Sequence, residues 1–324
     1  MILLSGKIIE SSAYMKFKQY FKISSLEELN DTVGKCEGDI IFVAGATDIM
    51  VKARKRDWYK DCSLIDISEV GELSYICEKN DEIHIGALTS VKDILESEII
   101  NNKLSIIAQA ASTLAGPQVR AKATIGGNLA NSCLAGDLIP ALCVLDAEME
   151  LFSSNGSRRM KVSDLLKPCV ACLNHEEMSV GGCFYGKPCG KKNNLTAGEI
   201  IKDIIIKTPK SDDRFFFQKI GRKSDGCMSK FTLSVKLDAK ENYVNDLKIS
   251  IGAAFSDINN CEDIVRKYVG REMSREDILN LATELSDKIA SQVKILNDNM
   301  KYKSIVCKRL VNRTLCEMIF SDCR

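Results

Sequence analysis

Histidine is nearly absent from this chain, with 2 residues in 324. Zinc sites built from several imidazoles are thereby excluded. No charge of one sign is in excess either. The 45 lysines and arginines stand against 44 aspartates and glutamates, mixed along the chain, for a net charge of +1. Nothing in that balance points to nucleic acid or to an anionic membrane as a partner. Long apolar runs are missing, and none reaches the roughly 18 residues that a membrane span needs. The opening stretch MILLSGKIIESSAYMK has a short apolar patch after Met1 and no small-residue cleavage site. It reads as an N-terminal extension over 1–14 rather than a secretory signal. The pattern G-x-G-x-x-G does not occur, so a Rossmann dinucleotide site is not indicated. The single tryptophan, Trp58, lies in the charged stretch KRDWYKD and reads as a surface or partner contact.

What is abundant is cysteine, at 14 residues. The chain is too long for a disulfide-stapled miniature and lacks an export signal. The cysteines are therefore expected to be mostly reduced thiols, with any tight cluster a metal-site candidate. The length suits two or three domains. Strand and helix signals alternate throughout. DIIFVAGATDIM (39–50) is a buried apolar run ending in a glycine turn, and SLIDIS and EIHIGALTS read as short strands. SSLEELNDTV (24–33) and SVKDILESEII begin as capped helices. LSIIAQAASTLAG is a small-residue helix ending at Gly116, with Pro117 beyond it. Strands follow at 199–208 and in KFTLSVKLD and DLKISIGAAF, and the C-terminal end is helical. SREDILNLATELSDKIASQV carries an apolar stripe at Ile278, Leu281, Leu285 and Ile289. The class is α/β or α+β, with a domain boundary near the polar stretch TPKSDDR.

Two small-residue turns carry the chemistry. VAGATD places Val43, Ala44, Gly45, Ala46, Thr47 and Asp48 after a strand, where backbone amides can approach a phosphate and Thr47 can add a hydroxyl. By itself such a turn is most often just a turn. TIGGN is the second: Thr124, Ile125, Gly126, Gly127 and Asn128. The paired glycines permit close backbone approach, and the Asn128 amide can donate and accept. Asp137 follows, either as a ligand to a hydroxyl or ring N–H or as an ordinary helix cap. Two anion turns and an acid suit a ligand with a pyrophosphate and a hydroxylated or heterocyclic end.

In their order, VAGATDIMVKARK, LIDIS, IHIGALTS, ATIGGNLANS, AGDLIPALCVLDAEMEL, LTAGEIIKDI and FQKIGRK resemble the FAD-binding medium subunit of molybdenum hydroxylases, the xanthine, carbon monoxide and nicotinate dehydrogenase group. The resemblance runs from about Met15 to the C-terminal end. It implies an α+β fold. Two α/β subdomains would form an FAD-binding domain (15–210, of the vanillyl-alcohol-oxidase-like kind), followed by a C-terminal α+β domain (211–324). It implies FAD, with its pyrophosphate along Ala44–Asp48 and Thr124–Asn128 and Asp137 in contact with the cofactor. Leu114 and Leu195 correspond to the residues covering the two faces of the isoalloxazine, although both read equally well as core. Lys219 matches the lysine near the flavin in K-x-G-R. Ala46 departs from the family, which usually has glycine there, and a thiol at Cys133 is unusual.

A Cys-rich insertion, 167–194, precedes Leu195. Cys169, Cys172, Cys183 and Cys189 follow C-x2-C-x10-C-x5-C among glycines and prolines. Four thiolates suit a [4Fe–4S] cluster or a tetrahedral zinc, and His175 is a fifth candidate. The redox setting favours the cluster over both zinc and no metal. The remaining cysteines read as buried thiols, and His84, on an alternating strand, as structural.

The expected function is electron transfer within a complex. A molybdopterin large subunit would act on substrate, and a [2Fe–2S] small subunit would relay electrons to this chain. FAD would pass them to NAD+ or to a ferredoxin-like acceptor, in the cytoplasm. The rival readings are a free-standing FAD oxidoreductase acting on a small substrate, and a binding module stapled by zinc. No substrate-activating constellation beside the turns favours the former.

Overall fold

A computed structural model describes residues 17–53, 60–166, 193–222, 226–255, 261–291 and 300–320. Three sheets organise them. In the first, β1 (Gln19–Lys22), β2 (Asp39–Val43) and β3 (Cys62–Asp66) run parallel with β3 in the centre. Ser63, Leu64 and Ile65 of β3 are almost fully buried, as the central strand of a parallel sheet covered on both faces must be. The helix Glu27–Lys35 makes the crossover from β1 to β2. Its predicted serine cap is displaced. Leu26 occupies the cap position, and Ser24 bonds to Glu28 through both its amide and its hydroxyl.

The second sheet has five antiparallel strands in the order β4-β5-β8-β6-β7: β4 (Ile76–Lys79), β5 (Glu82–Gly86), β6 (Glu148–Ser153), β7 (Gly156–Lys161) and β8 (Ile200–Lys207). Between β5 and β6 the chain makes a run of helices, from Val91–Glu96 to Leu138–Val144. Their apolar faces and the inner face of the sheet form one core around Ile85, Ile107, Leu142 and Met149. Pro117 does not merely follow a helix; it opens the short helix Pro117–Arg120, because its missing N–H costs nothing at a first helical position. The preceding helix stops at Thr113, and Ala115 turns the chain with φ +44°.

The third sheet, β12-β11-β10-β9, is antiparallel: β9 (Arg214–Ile220), β10 (Phe231–Lys240), β11 (Tyr243–Gly252) and β12 (Arg271–Glu272). Phe231, Leu233, Val235 and Leu237 line one face of β10 and join the core that the helices Arg275–Ser291 and Met300–Phe320 close. The predicted stripe at Ile278, Leu281, Leu285 and Ile289 is fully buried in that core. The opposite face turns toward the helical region. The helix Ser105–Thr113 packs on β9, and the helix Leu138–Val144 on β10 and β11. Phe217 of β9 belongs to the core of the second sheet. Among the described residues no helix is long and apolar enough to cross a membrane.

Candidate cofactor site

The first loop leaves β2 at Val43 and runs through Ala44–Asp48 into the helix Ile49–Ala53. It lies beyond the carboxyl end of a parallel strand, where open α/β sheets bind their ligands. A Cβ on Gly45 would stand 1.7 Å from the Lys122 carbonyl oxygen, so only glycine fits. Ala46 takes φ +59°, a left-handed conformation that costs an L-residue about 1–2 kcal/mol. The amides of Gly45, Ala46, Thr47 and Asp48 find no acceptor among the described residues. The loop is a turn of open donors, suited to an anion.

The second loop is built differently. Thr124 caps the helix Ile125–Asn131, its hydroxyl accepting from the Gly127 amide at 3.0 Å. The amides of Ile125 and Gly126 donate to the carbonyls of Thr89 and Ala87, and that of Asn128 to Thr124. These four donors are therefore paired inside the protein. Gly126 is dictated by packing, since a Cβ there would lie 2.6 Å from the Ala87 Cβ. Gly127 is exposed, and a Cβ there would meet only the Thr124 hydroxyl, at 2.9 Å. Of the two glycines expected to face a ligand, Gly127 is left open and Gly126 is filled by Ala87. Asn128 adds a buried Oδ1 with no hydrogen-bond partner among the described residues, an acceptor whose isolation calls for a donor.

The fold sets these loops against each other. Besides the Gly45–Lys122 contact, Lys52 pairs with Asp48 and donates to Asn131 Oδ1 at 2.7 Å, joining the helices that follow the two loops. Cys133 sits under the electrostatic influence of Lys52, Asp48 and Asp137, and burial pushes its thiol up to about 11. It is a neutral thiol near pH 7.

Asp137 occupies the N-cap position of the helix Leu138–Val144 but makes no capping bond. Its carboxylate turns to the third sheet instead. Oδ2 accepts from Lys219 Nζ at 2.7 Å, and Oδ1 accepts a short bond from the Ser229 hydroxyl. Lys219 also donates to the Thr113 carbonyl at 2.9 Å, one residue before Leu114. Burial pushes the Asp137 carboxyl upward, and the Lys219 and Ser229 donors pull against it. Both partners of the ion pair are nearly sealed from water. The cluster thus joins Asp137, Lys219 and the backbone leading into Leu114.

Leu195 is held from the other side. Asn193 Oδ1 accepts from the Leu195 amide, while its Nδ2 donates to Ala130 O and Ser132 Oγ at the end of the second-loop helix. Arg158 forks onto both oxygens of Glu199 at 2.7 and 2.8 Å and reaches the Asn194 carbonyl. Glu199 in turn accepts from the Thr196 amide. The Arg158 guanidinium holds the Glu199 carboxyl down at about 2. Leu114 and Leu195 are both partly buried against the main core. Lys52, Asn131, Arg158, Asn193, Glu199 and Ser229 had no signal in the sequence, because each acts on a residue distant in the chain.

Cys169, Cys172, Cys183, Cys189, His175 and Trp58 lie outside the described residues. Among the described residues no group of three or more metal-ligating side chains is arranged to hold an ion. His84 Nδ1 meets Asp203 Oδ2 at 2.6 Å across β5 and β8, a hydrogen bond within the sheet.

Residues 15–206 match the family model described as "FAD binding domain in molybdopterin dehydrogenase", more than half of the chain. The nicotinate dehydrogenase FAD-subunit of Eubacterium barkeri is 32% identical over 228 residues, covering 69% of this chain and 70% of that one. The carbon monoxide dehydrogenase medium chain of Hydrogenophaga pseudoflava is 24% identical over 298 residues, covering 92% of this chain and 95% of its own. In fold the chain is similar to the solved carbon monoxide dehydrogenase of the same organism, with a TM-score of 0.76 at 22% identity over 92% of this chain and 95% of that one.

Proposed function

This chain belongs to the family of FAD-binding domains of molybdopterin dehydrogenases, and we propose on that premise that it is the FAD-binding, electron-transferring subunit of a molybdenum hydroxylase complex. The observation that carries the reading is the meeting of two loops separated by some 80 residues in the chain. Among the described residues, one presents four amides without an acceptor, and the other a buried Asn128 oxygen without a donor. That donor and acceptor set fits a pyrophosphate and its hydroxylated flank. FAD, when bound, supplies exchange between one-electron and two-electron transfer. The chain's own residues bind and orient it. The Ala44–Asp48 amides take the pyrophosphate with the exposed edge of Gly127, and Leu114 and Leu195 flank the ring. The Asp137–Lys219 pair sets the charge beside the ring. The partners in this reading are a [2Fe–2S] small subunit and a molybdopterin large subunit, with NAD+ or a ferredoxin-like protein as acceptor, in the cytoplasm.

The insertion at 167–194 completes the proposal. Four thiolates close together need a cation to be tolerated, and Cys169, Cys172, Cys183 and Cys189 are assigned to a [4Fe–4S] cluster. Anaerobic purification with flavin and metal analysis tests both parts. FAD should be released on denaturation at one per chain, with about four irons per chain beyond any partner clusters. Gly127→Val should lose the flavin at a stability cost no larger than a disturbed cap, about 1 kcal/mol. Full flavin occupancy in that variant would refute the loop assignment. One zinc and no iron would make the insertion a structural staple.

A further inference from the structure

The match to the family model ends at residue 206, yet the cluster around Asp137 takes two of its four members from beyond it. Lys219 lies on β9 and Ser229 just before β10. Ser229 is 6% exposed and Asp137 5%. Oδ2 of the carboxylate is committed to Lys219, and its Oδ1 receives the Ser229 hydroxyl. A buried carboxylate oxygen without a donor is costly, and a charged acceptor makes the donated bond strong. Removing the hydroxyl would strip Oδ1 of its short bond in a sealed site. The carboxylate would then rotate or take a proton, and its hold on Lys219 would weaken. Lys219 is also the donor that fixes the Thr113 carbonyl. A disturbance at Ser229 therefore reaches the backbone entering Leu114 through three hydrogen bonds, Ser229–Asp137, Lys219–Asp137 and Lys219–Thr113.

We propose that Ser229 is a positioning residue of the flavin site. Its hydroxyl holds the Asp137 carboxylate in the orientation that locks Lys219 onto Thr113, so that the C-terminal sheet completes a site whose two loops lie in the family region. This rests on the FAD reading above. Among the described residues no hydrogen bond joins Ser229 to either loop, and its influence on the cofactor passes through Asp137.

The test uses the full-length chain, stripped of flavin and titrated with FAD by fluorescence, with melting temperature measured alongside. Ser229→Ala should bind FAD about tenfold more weakly, the loss expected for one hydrogen bond to a buried charged group. The absorption envelope of its bound flavin should shift, which a purely structural serine would not cause. Asp137→Asn should weaken binding as well. The double variant should be no weaker than Asp137→Asn alone, because the serine acts only through that carboxylate. If Ser229→Ala does not fold, Ser229→Cys, of similar shape with a weak donor, takes its place under the same criteria. Wild-type affinity and spectrum in the serine variant, or losses that simply add in the double variant, would overturn this inference while leaving the FAD reading intact. A wild-type chain that takes up no FAD would overturn both.

Discussion

Gly45 and Ala46 are neighbours with opposite requirements. At Gly45 the obstacle is another part of the backbone, the Lys122 carbonyl, at 1.7 Å from where a Cβ would stand. A peptide carbonyl wedged between two loops cannot retreat as a flexible side chain can. Gly45→Ala should therefore destabilise the protein by about 3 kcal/mol or more, at the upper end of overpacking costs. At Ala46 the obstacle is the residue's own φ of +59°. Ala46→Gly would relieve about 1 kcal/mol of left-handed strain and give back about 0.5–1 kcal/mol in chain entropy. It should leave stability nearly unchanged. Urea unfolding of the two variants checks the contrast, and equal losses would refute it. The sequence marks both loops as places without side chains, but it cannot say what fills the space. For Gly45 and Gly126 the answer is the protein's own backbone and Ala87. For Gly127 the position is open.

The elements themselves follow from short-range rules. The buried run of β3, the alternation of β10 and the four-residue stripe of the helix Arg275–Ser291 are legible because each pattern is complete within one segment. What the segments do to one another is not. The face of β10 turned away from its helices carries Thr232 and Ser234, with Ser250 directly opposite Ser234 on β11. All three hydroxyls are buried without a hydrogen-bond partner among the described residues. Read along the strand, such residues look like a solvent face. In the fold that face is covered by the helix Leu138–Val144, whose Pro140 would lie 2.8 Å from a Cβ on Gly252. An unpaired hydroxyl in a sealed interface is a net cost, and an apolar group of the same shape removes it. Ser234→Ala, Ser250→Ala and Thr232→Val should each be neutral or stabilising by up to about 1 kcal/mol, against the usual direction for core substitutions. Thermal melts of the single variants decide it. A clear destabilisation in all three would mean that the hydroxyls have partners.

At the scale of the molecule, the polar stretch at 208–213 separates the second sheet from the third, which invites division of the chain there. Contacts across that line tie the two parts together. Phe217 sits in the core of the second sheet, and β9 covers the helix Ser105–Thr113 while β10 and β11 cover Leu138–Val144. Lys219 and Ser229 occupy both oxygens of Asp137. A chain cut after residue 210 would expose the apolar faces of two helices. It would also leave Asp137 buried beside a gap, its lysine and serine gone, and removing one partner of a buried pair already costs about 3–5 kcal/mol. That loss is a large fraction of the 5–15 kcal/mol on which a domain stands. The fragment 1–210 should therefore be insoluble or partly folded, and should not retain FAD even though it contains both loops and the whole family region. Expressing the fragment with and without the separately encoded remainder, 211–324, gives the check. Recovery of a soluble, flavin-binding species only when both pieces are present is the expected result. A fragment that folds and binds FAD alone would mean that the third sheet is an appendage rather than a wall of the site.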